Sequence, residues 1–191
     1  MHRKRTVIVS SLIVISAATL IVVNHIRNAL HLTQSPYVSQ LSSTVRGLSA
    51  QEVDNLLNGR GAGYARTAEL NSYPGPLHVL ELEEQLQLSP AQRQKIRAVF
   101  KKMNTQAKEI GKEIVEREHV LSTAFSNGEI NSTDLETQTQ SLATLYGNLR
   151  ATHLEAHLEI TPLLSVEQVA TYDRLRGYTG DHSSNAHQHS H

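Results

Sequence analysis

Apolar positions between Pro90 and Phe125 fall at Ile96, Phe100, Met103, Ala107, Ile110, Ile114, Leu121 and Phe125. Steps of three, four and seven place them on one stripe of a long helix. Ser126-Asn127-Gly128-Glu129 then reads as a turn. Ser132-Thr133-Asp134 supplies capping chemistry for a return helix, whose stripe runs through Leu135, Leu142, Leu145, Leu149, Ala156, Ile160 and Leu163. His153 stands in phase with that stripe, between Leu149 and Ala156, and Pro162 lies near the helix end. Two long helices with a short link predict an antiparallel hairpin. Such a hairpin leaves much of its apolar stripe uncovered. Either short flanking helices or a second copy must cover it, and a homodimer is the expectation.

The flanking elements are read from their starts. Leu88-Ser89-Pro90-Ala91-Gln92 and Leu164-Ser165-Val166-Glu167-Gln168 both spell L-S-x-x-Q. A Ser at the N-cap accepts from a free backbone N–H, and a Gln three residues on reaches back to the cap's own N–H. Pro90 falls at the first helical position, where its missing N–H costs nothing. Leu48-Ser49-Ala50-Gln51-Glu52 is a weaker third box, opening a short helix that ends near Asn58-Gly59. Tyr73-Pro74-Gly75-Pro76 is a turn, residues 78–87 a short helix, and the second L-S-x-x-Q opens a last helix to about Arg176. The Gly59-Arg60-Gly61-Ala62-Gly63 run follows a helix and lacks both the G-x-G-x-x-G spacing and a G-K-[ST] ending, so it reads as a joint, not a phosphate loop.

Composition supports an all-α chain. Aromatics make up 4% with no Trp, which is thin for a sheet. The absence of cysteine removes a disulfide scaffold, a thiolate metal site and a lipoprotein anchor. Residues 6–23 (TVIVSSLIVISAATLIVV) carry no charge and approach the roughly 20 residues a helix needs to cross a bilayer. Arg3-Lys4-Arg5 precede them, so the positive-inside rule leaves the N-terminus in the cytoplasm and the body across the membrane. No A-x-A-like site follows, which favours an uncleaved anchor over a signal peptide. Formal charge is zero overall, but four of the 18 basic residues and no acidic residue lie in the first thirty positions, leaving the remainder at −4. That balance does not suit nucleic acid. The expected organisation is a cytoplasmic stub and transmembrane anchor over 1–30, a polar linker over 31–47, a helical domain over 48–177 and a disordered, His-rich tail over 178–191.

The paired L-S-x-x-Q phrases, the hairpin between them and the export segment resemble the L-T-x-x-Q signature of the Spy/CpxP family of bacterial periplasmic proteins, over about residues 80–178. Ser replaces Thr in both copies. The resemblance implies an all-helical hairpin that commonly dimerises. It also implies one of several functions: an ATP-independent chaperone, an envelope-stress modulator, or a metal binder of the heavy-metal-resistance, CnrX- or ZraP-like branch.

Candidate chemistry is concentrated in histidine. His153 and His157 form H-x-x-x-H, which on a helix brings both imidazoles to one face and to one metal ion. Counting back from the turn sets His153 opposite Met103 to Thr105, and Met103 is a soft ligand. The plainer alternative is a hydrogen-bonded core His153 and a surface His157. His182, His187, His189 and His191 give the tail four imidazoles, a composition associated with metal capture. Zn, Cu, Ni and Co all suit imidazole. A basic stretch contains Arg93, Lys95, Arg97, Lys101, Lys102, Lys108 and Lys112. Part of it is a solvated face. The resemblance makes Arg93, Arg97, Phe100, Lys101 and Lys108 candidates for holding unfolded clients or a membrane signalling partner. No nucleophile–base–orienter set is visible, and His153-Leu154-Glu155-Ala156-His157 is not H-E-x-x-H, so no enzyme is expected. The sequence therefore points first to a membrane-anchored periplasmic metal-binding protein for sensing, buffering or resistance. A chaperone or stress modulator stands second, and a purely structural envelope protein third.

Overall fold

The computed structural model describes residues 35–179. The apolar segment 6–23 and the tail histidines His182, His187, His189 and His191 lie outside the described residues. The chain divides into two units after Ser42. Of the first, residues 35–42 are described, and they contain one 3-10 turn, Val38–Gln40. Residues 43–179 of the second are helical and contain no strand among the described residues. The helices are α1 (Ala50–Leu57), α2 (Arg66–Glu69), α3 (Pro76–Glu81), α4 (Pro90–Asn127), α5 (Ser132–Ile160) and α6 (Val166–Arg176), with a 3-10 turn Thr161–Leu163 between the last two. Among the described residues, no helix is long and apolar enough to cross a membrane.

The three capping boxes form as the sequence predicts. Ser49, Ser89 and Ser165 each accept from the backbone N–H three residues on, at 3.2 Å. Glu52, Gln92 and Gln168 each accept from the cap's own N–H, at 2.7, 2.9 and 2.9 Å. The hairpin is α4 against α5. Its first arm stops where Gly128 takes a left-handed φ of 70°, a conformation that glycine adopts without a Cβ penalty. The return helix is capped one residue earlier than Ser132-Thr133-Asp134. Asn131 adopts the extended backbone a cap needs, and its Oδ1 accepts from Thr133 and Asp134 N–H, both at 3.0 Å. The helix expected over 78–87 is shorter and starts sooner. Pro76 initiates it, and after Glu81 the chain turns, with Gln87 at φ 49°, so that Leu86 and Leu88 enter the core.

Two apolar clusters sit along the hairpin. Val79, Leu86, Leu88, Ile96, Val99, Met103, Ala156, Ile160 and Tyr172 make the one near the chain ends of the hairpin. Val45, Leu48, Leu56, Ala107, Ile114, Leu142 and Leu149 make the other. Val45 comes from the stretch read as a linker, so that stretch contributes to the core. Val99 also joins the core off the predicted stripe, because the segment before α4 covers an extra flank. Phe125, by contrast, remains 56% exposed, since no short helix reaches the hairpin tip.

The repeated glutamines meet. Gln92 Nε2 donates to Gln168 Oε1 at 2.8 Å and to the Leu163 carbonyl at 2.8 Å. Gln168 Nε2 donates to Gln92 Oε1 at 3.3 Å and to the Leu86 carbonyl at 3.0 Å. The two boxes are thus one clasp holding the starts of α4 and α6 together. Gln92→Ala and Gln168→Ala are each expected to cost about 1–3 kcal/mol, through the lost cap and unpaired partners. The double variant should cost about 1 kcal/mol less than the sum. Urea unfolding of the four proteins measures this, and strict additivity would show that the pair is not coupled.

Candidate functional site

His153 and His157 stand one turn apart on α5, and both are buried, at 2% and 7% exposure. The burial of His157 goes against the plainer alternative, which made it a surface residue. Its cover is the Tyr73-Pro74-Gly75-Pro76 turn. The Tyr73 carbonyl lies 2.7 Å from His157 Nδ1, so Nδ1 carries a hydrogen and donates, and Nε2 makes no hydrogen bond among the described residues. A Cβ on Gly75 would stand 3.0 Å from His157 Cε1, so the bare backbone lets the ring lie against the turn.

His153 lies on the stripe between the two core clusters. Its ring stacks on Tyr64, with centroids 5.8 Å apart and planes 9° from parallel. Its Nε2 is buried without a hydrogen-bond partner, so it is not the hydrogen-bonded core histidine of the plainer reading. Burial, and secondarily the neighbouring His157, push its pKa down from 6.5 to about 4. At neutral pH it is a neutral imidazole with ligating capacity.

Glu69 of α2 is the nearest carboxylate, with Oε2 3.8 Å from His157 Nδ1. One of its two oxygens is already occupied. Its Oε1 accepts from the hydroxyls of Tyr172 and, at 3.1 Å, Tyr178, and lies 3.5 Å from Arg176 Nε. Burial and the Glu69 carboxylate hold the Tyr172 hydroxyl protonated. Sequence reasoning missed this set, because Glu69 and its two tyrosines lie over a hundred residues apart and form no local pattern.

Both histidines open onto a cavity of about 550 Å³. Met103 and Phe100 line it from α4, and residues 58–63 form a wall. That glycine-rich run is more than a joint. Asn104 Nδ2 donates to the carbonyls of Asn58 and Gly59, at 3.1 and 3.3 Å, and pins it to α4. Met103 thus shares the cavity with the H-x-x-x-H pair, as the counting predicts, while Thr105 is exposed. Among the described residues, no three His, Cys, Asp or Glu side chains are grouped to hold a metal ion by themselves.

The basic candidates are spread out. Arg93 and Arg97 both reach Glu83, at 3.7 and 3.1 Å. Lys101 is exposed, and the stem of exposed Lys108 passes close to Gly59. Phe100 is half-buried against the first core cluster. Lys102 pairs across the hairpin with Glu159 at 3.2 Å. No family model, curated protein or solved structure matches this chain.

Proposed function

We propose that this is a membrane-anchored, periplasmic metal-binding protein of the Spy/CpxP type, in which His153 and His157 hold a Zn, Cu, Ni or Co ion for sensing, buffering or resistance. One observation carries the reading: two buried imidazoles on one helix face share a cavity, one with an orphaned Nε2, the other with Nε2 left free by an Nδ1–H donated to a backbone carbonyl. A backbone carbonyl on the far ring nitrogen is how metal-ligating histidines are oriented. Met103 adds a soft donor at the same cavity. The uncharged segment 6–23 behind Arg3-Lys4-Arg5 supports the anchor and its orientation. The tail histidines add capture sites of low geometric specificity, and a homodimer suits the uncovered hairpin tip.

A second reading, a chaperone or envelope-stress modulator that receives unfolded clients at Arg93, Arg97, Phe100, Lys101 and Lys108, is favoured by Val120 and Phe125, which stay 55% and 56% exposed. Metal titration against a chromogenic competitor separates the two. A chain truncated after Thr179 should keep one tight site, and His153→Ala should lose it. Tail sites should fade near the ordinary imidazole pKa of about 6.5. Tight binding that survives His153→Ala, or strong metal-independent suppression of client aggregation in light scattering, would overturn the first reading.

A further inference from the structure

The cavity is far larger than a bare ion requires, and its donors are too few to enclose one. Two imidazoles and a thioether leave coordination positions open. Among the described residues Glu69 does not join the two histidines as a third grouped ligand, and its Oε1 is held by Tyr172, Tyr178 and Arg176. At about 550 Å³ the space falls within the range of about 300–1,000 Å³ typical of small-molecule sites. Its wall also carries a cation with nothing to neutralise it. Arg60 is paired with Asp54 at 2.8 Å and Arg176 with Glu69, but Arg66 has no carboxylate partner among the described residues. Phe100 and Leu77 line the same space and offer apolar contact to an organic body.

We infer that the site takes its metal as a complex with a small carboxylate-bearing chelator. His153 and His157 ligate the ion, Arg66 pairs with a chelator carboxylate, and Phe100 and Leu77 contact its carbon frame. This rests on the metal-binding reading above and adds the ligand class to it. A guanidinium suits a carboxylate because its fork donates two parallel hydrogen bonds. A net-negative complex meets the Arg66 guanidinium, which has no carboxylate partner among the described residues, while the Glu69 carboxylate on the same cavity is paired with Arg176.

The test is equilibrium dialysis of the purified full chain, in detergent, against nickel alone, radiolabelled citrate alone, and both together. Citrate should be retained only with nickel, in a ratio of about one to one with the ion held at the cavity. Arg66→Gln, an exposed change that adds no metal-binding carboxylate to the cavity, should weaken citrate retention about tenfold and leave binding of nickel alone unchanged. His157→Ala, checked for helicity by circular dichroism, should abolish citrate retention. Tight binding of nickel with no citrate retained would overturn the inference and leave the metal reading standing. Retention that survives His157→Ala would place the citrate at other histidines and also overturn it. Failure to bind nickel in either form would remove both.

Discussion

Replacing His153 with leucine is expected to raise the stability of the metal-free protein while abolishing its tight metal site. The Nε2 of His153 is buried and unpartnered, a defect that ordinarily costs about 1–3 kcal/mol. Leucine has similar bulk and no polar atom, so a gain of about 1–2 kcal/mol at neutral pH follows. The sign of the pH effect is fixed by the same burial. The folded pKa is depressed to about 4 from 6.5, so the unfolded chain binds the proton more readily in that interval. Stability contributed by neutral His153 is complete above about pH 6.5, falls as pH drops toward 4, and falls no further below it. The loss should be about 2 kcal/mol, less than the full linkage value because the cavity opens to solvent. The difference between wild type and His153→Leu therefore widens on acidification. Urea midpoints at three pH values from 7.5 to 4 measure it. A variant that is less stable, with a difference constant in pH, would identify His153 as a packing residue and remove the main support for a metal site.

Gly111→Ala is expected to be the most disruptive small change in the hairpin. A Cβ at this position would stand 2.2 Å from the Leu56 carbonyl oxygen and 2.7 Å from its carbon. Both atoms are backbone, so no rotamer relieves the overlap and α1 must move off α4. The cost should be about 3 kcal/mol or more. Leu56 would leave the second core cluster, and residues 58–63, which follow directly, would lose their position as a cavity wall. Metal affinity should fall with stability, even though Gly111 touches no histidine. Gly147→Ala is the matched control. It is also helical, nothing lies within 4 Å of its Cβ position, and it should stabilise by about 0.5–1 kcal/mol. Thermal melts of the two variants decide the matter. Similar melting temperatures would mean that α1 does not depend on this close approach.

Several elements were legible because their signals are local. Capping boxes act over three residues, so the starts of α1, α4 and α6 could be read directly. Helical periodicity repeats every turn, so the two hairpin arms and most of their buried stripe followed from spacing. The i, i+4 relation of His153 and His157 needed only helix geometry, and counting from one glycine turn brought Met103 near them. What spacing could not give is what covers a residue. Phe125 and Leu135 obey the same stripe as Ile114 and Leu149, yet the first pair is exposed and the second buried, because the short helices end before the tip.

The tertiary structure alone decided that L-S-x-x-Q is a clasp as well as two caps, since Gln92 and Gln168 meet across 76 positions of chain. It decided that His157 is buried under the Tyr73 carbonyl, 84 residues away, and that Tyr64 stacks on His153. It also decided that Glu69 is committed to two tyrosines and an arginine. The glutamine clasp, the His157–Tyr73 bond and the Glu69 set each pair polar groups that would otherwise lose their water without replacement, while the stacking on Tyr64 leaves His153 Nε2 unpartnered. That demand is met by whichever segments the fold brings together, and a linear pattern carries no record of it. The sequence by itself determined the two hairpin arms, the capped helix starts and the histidine pair. Packing determined which imidazole nitrogens remain free, and so what the pair can do.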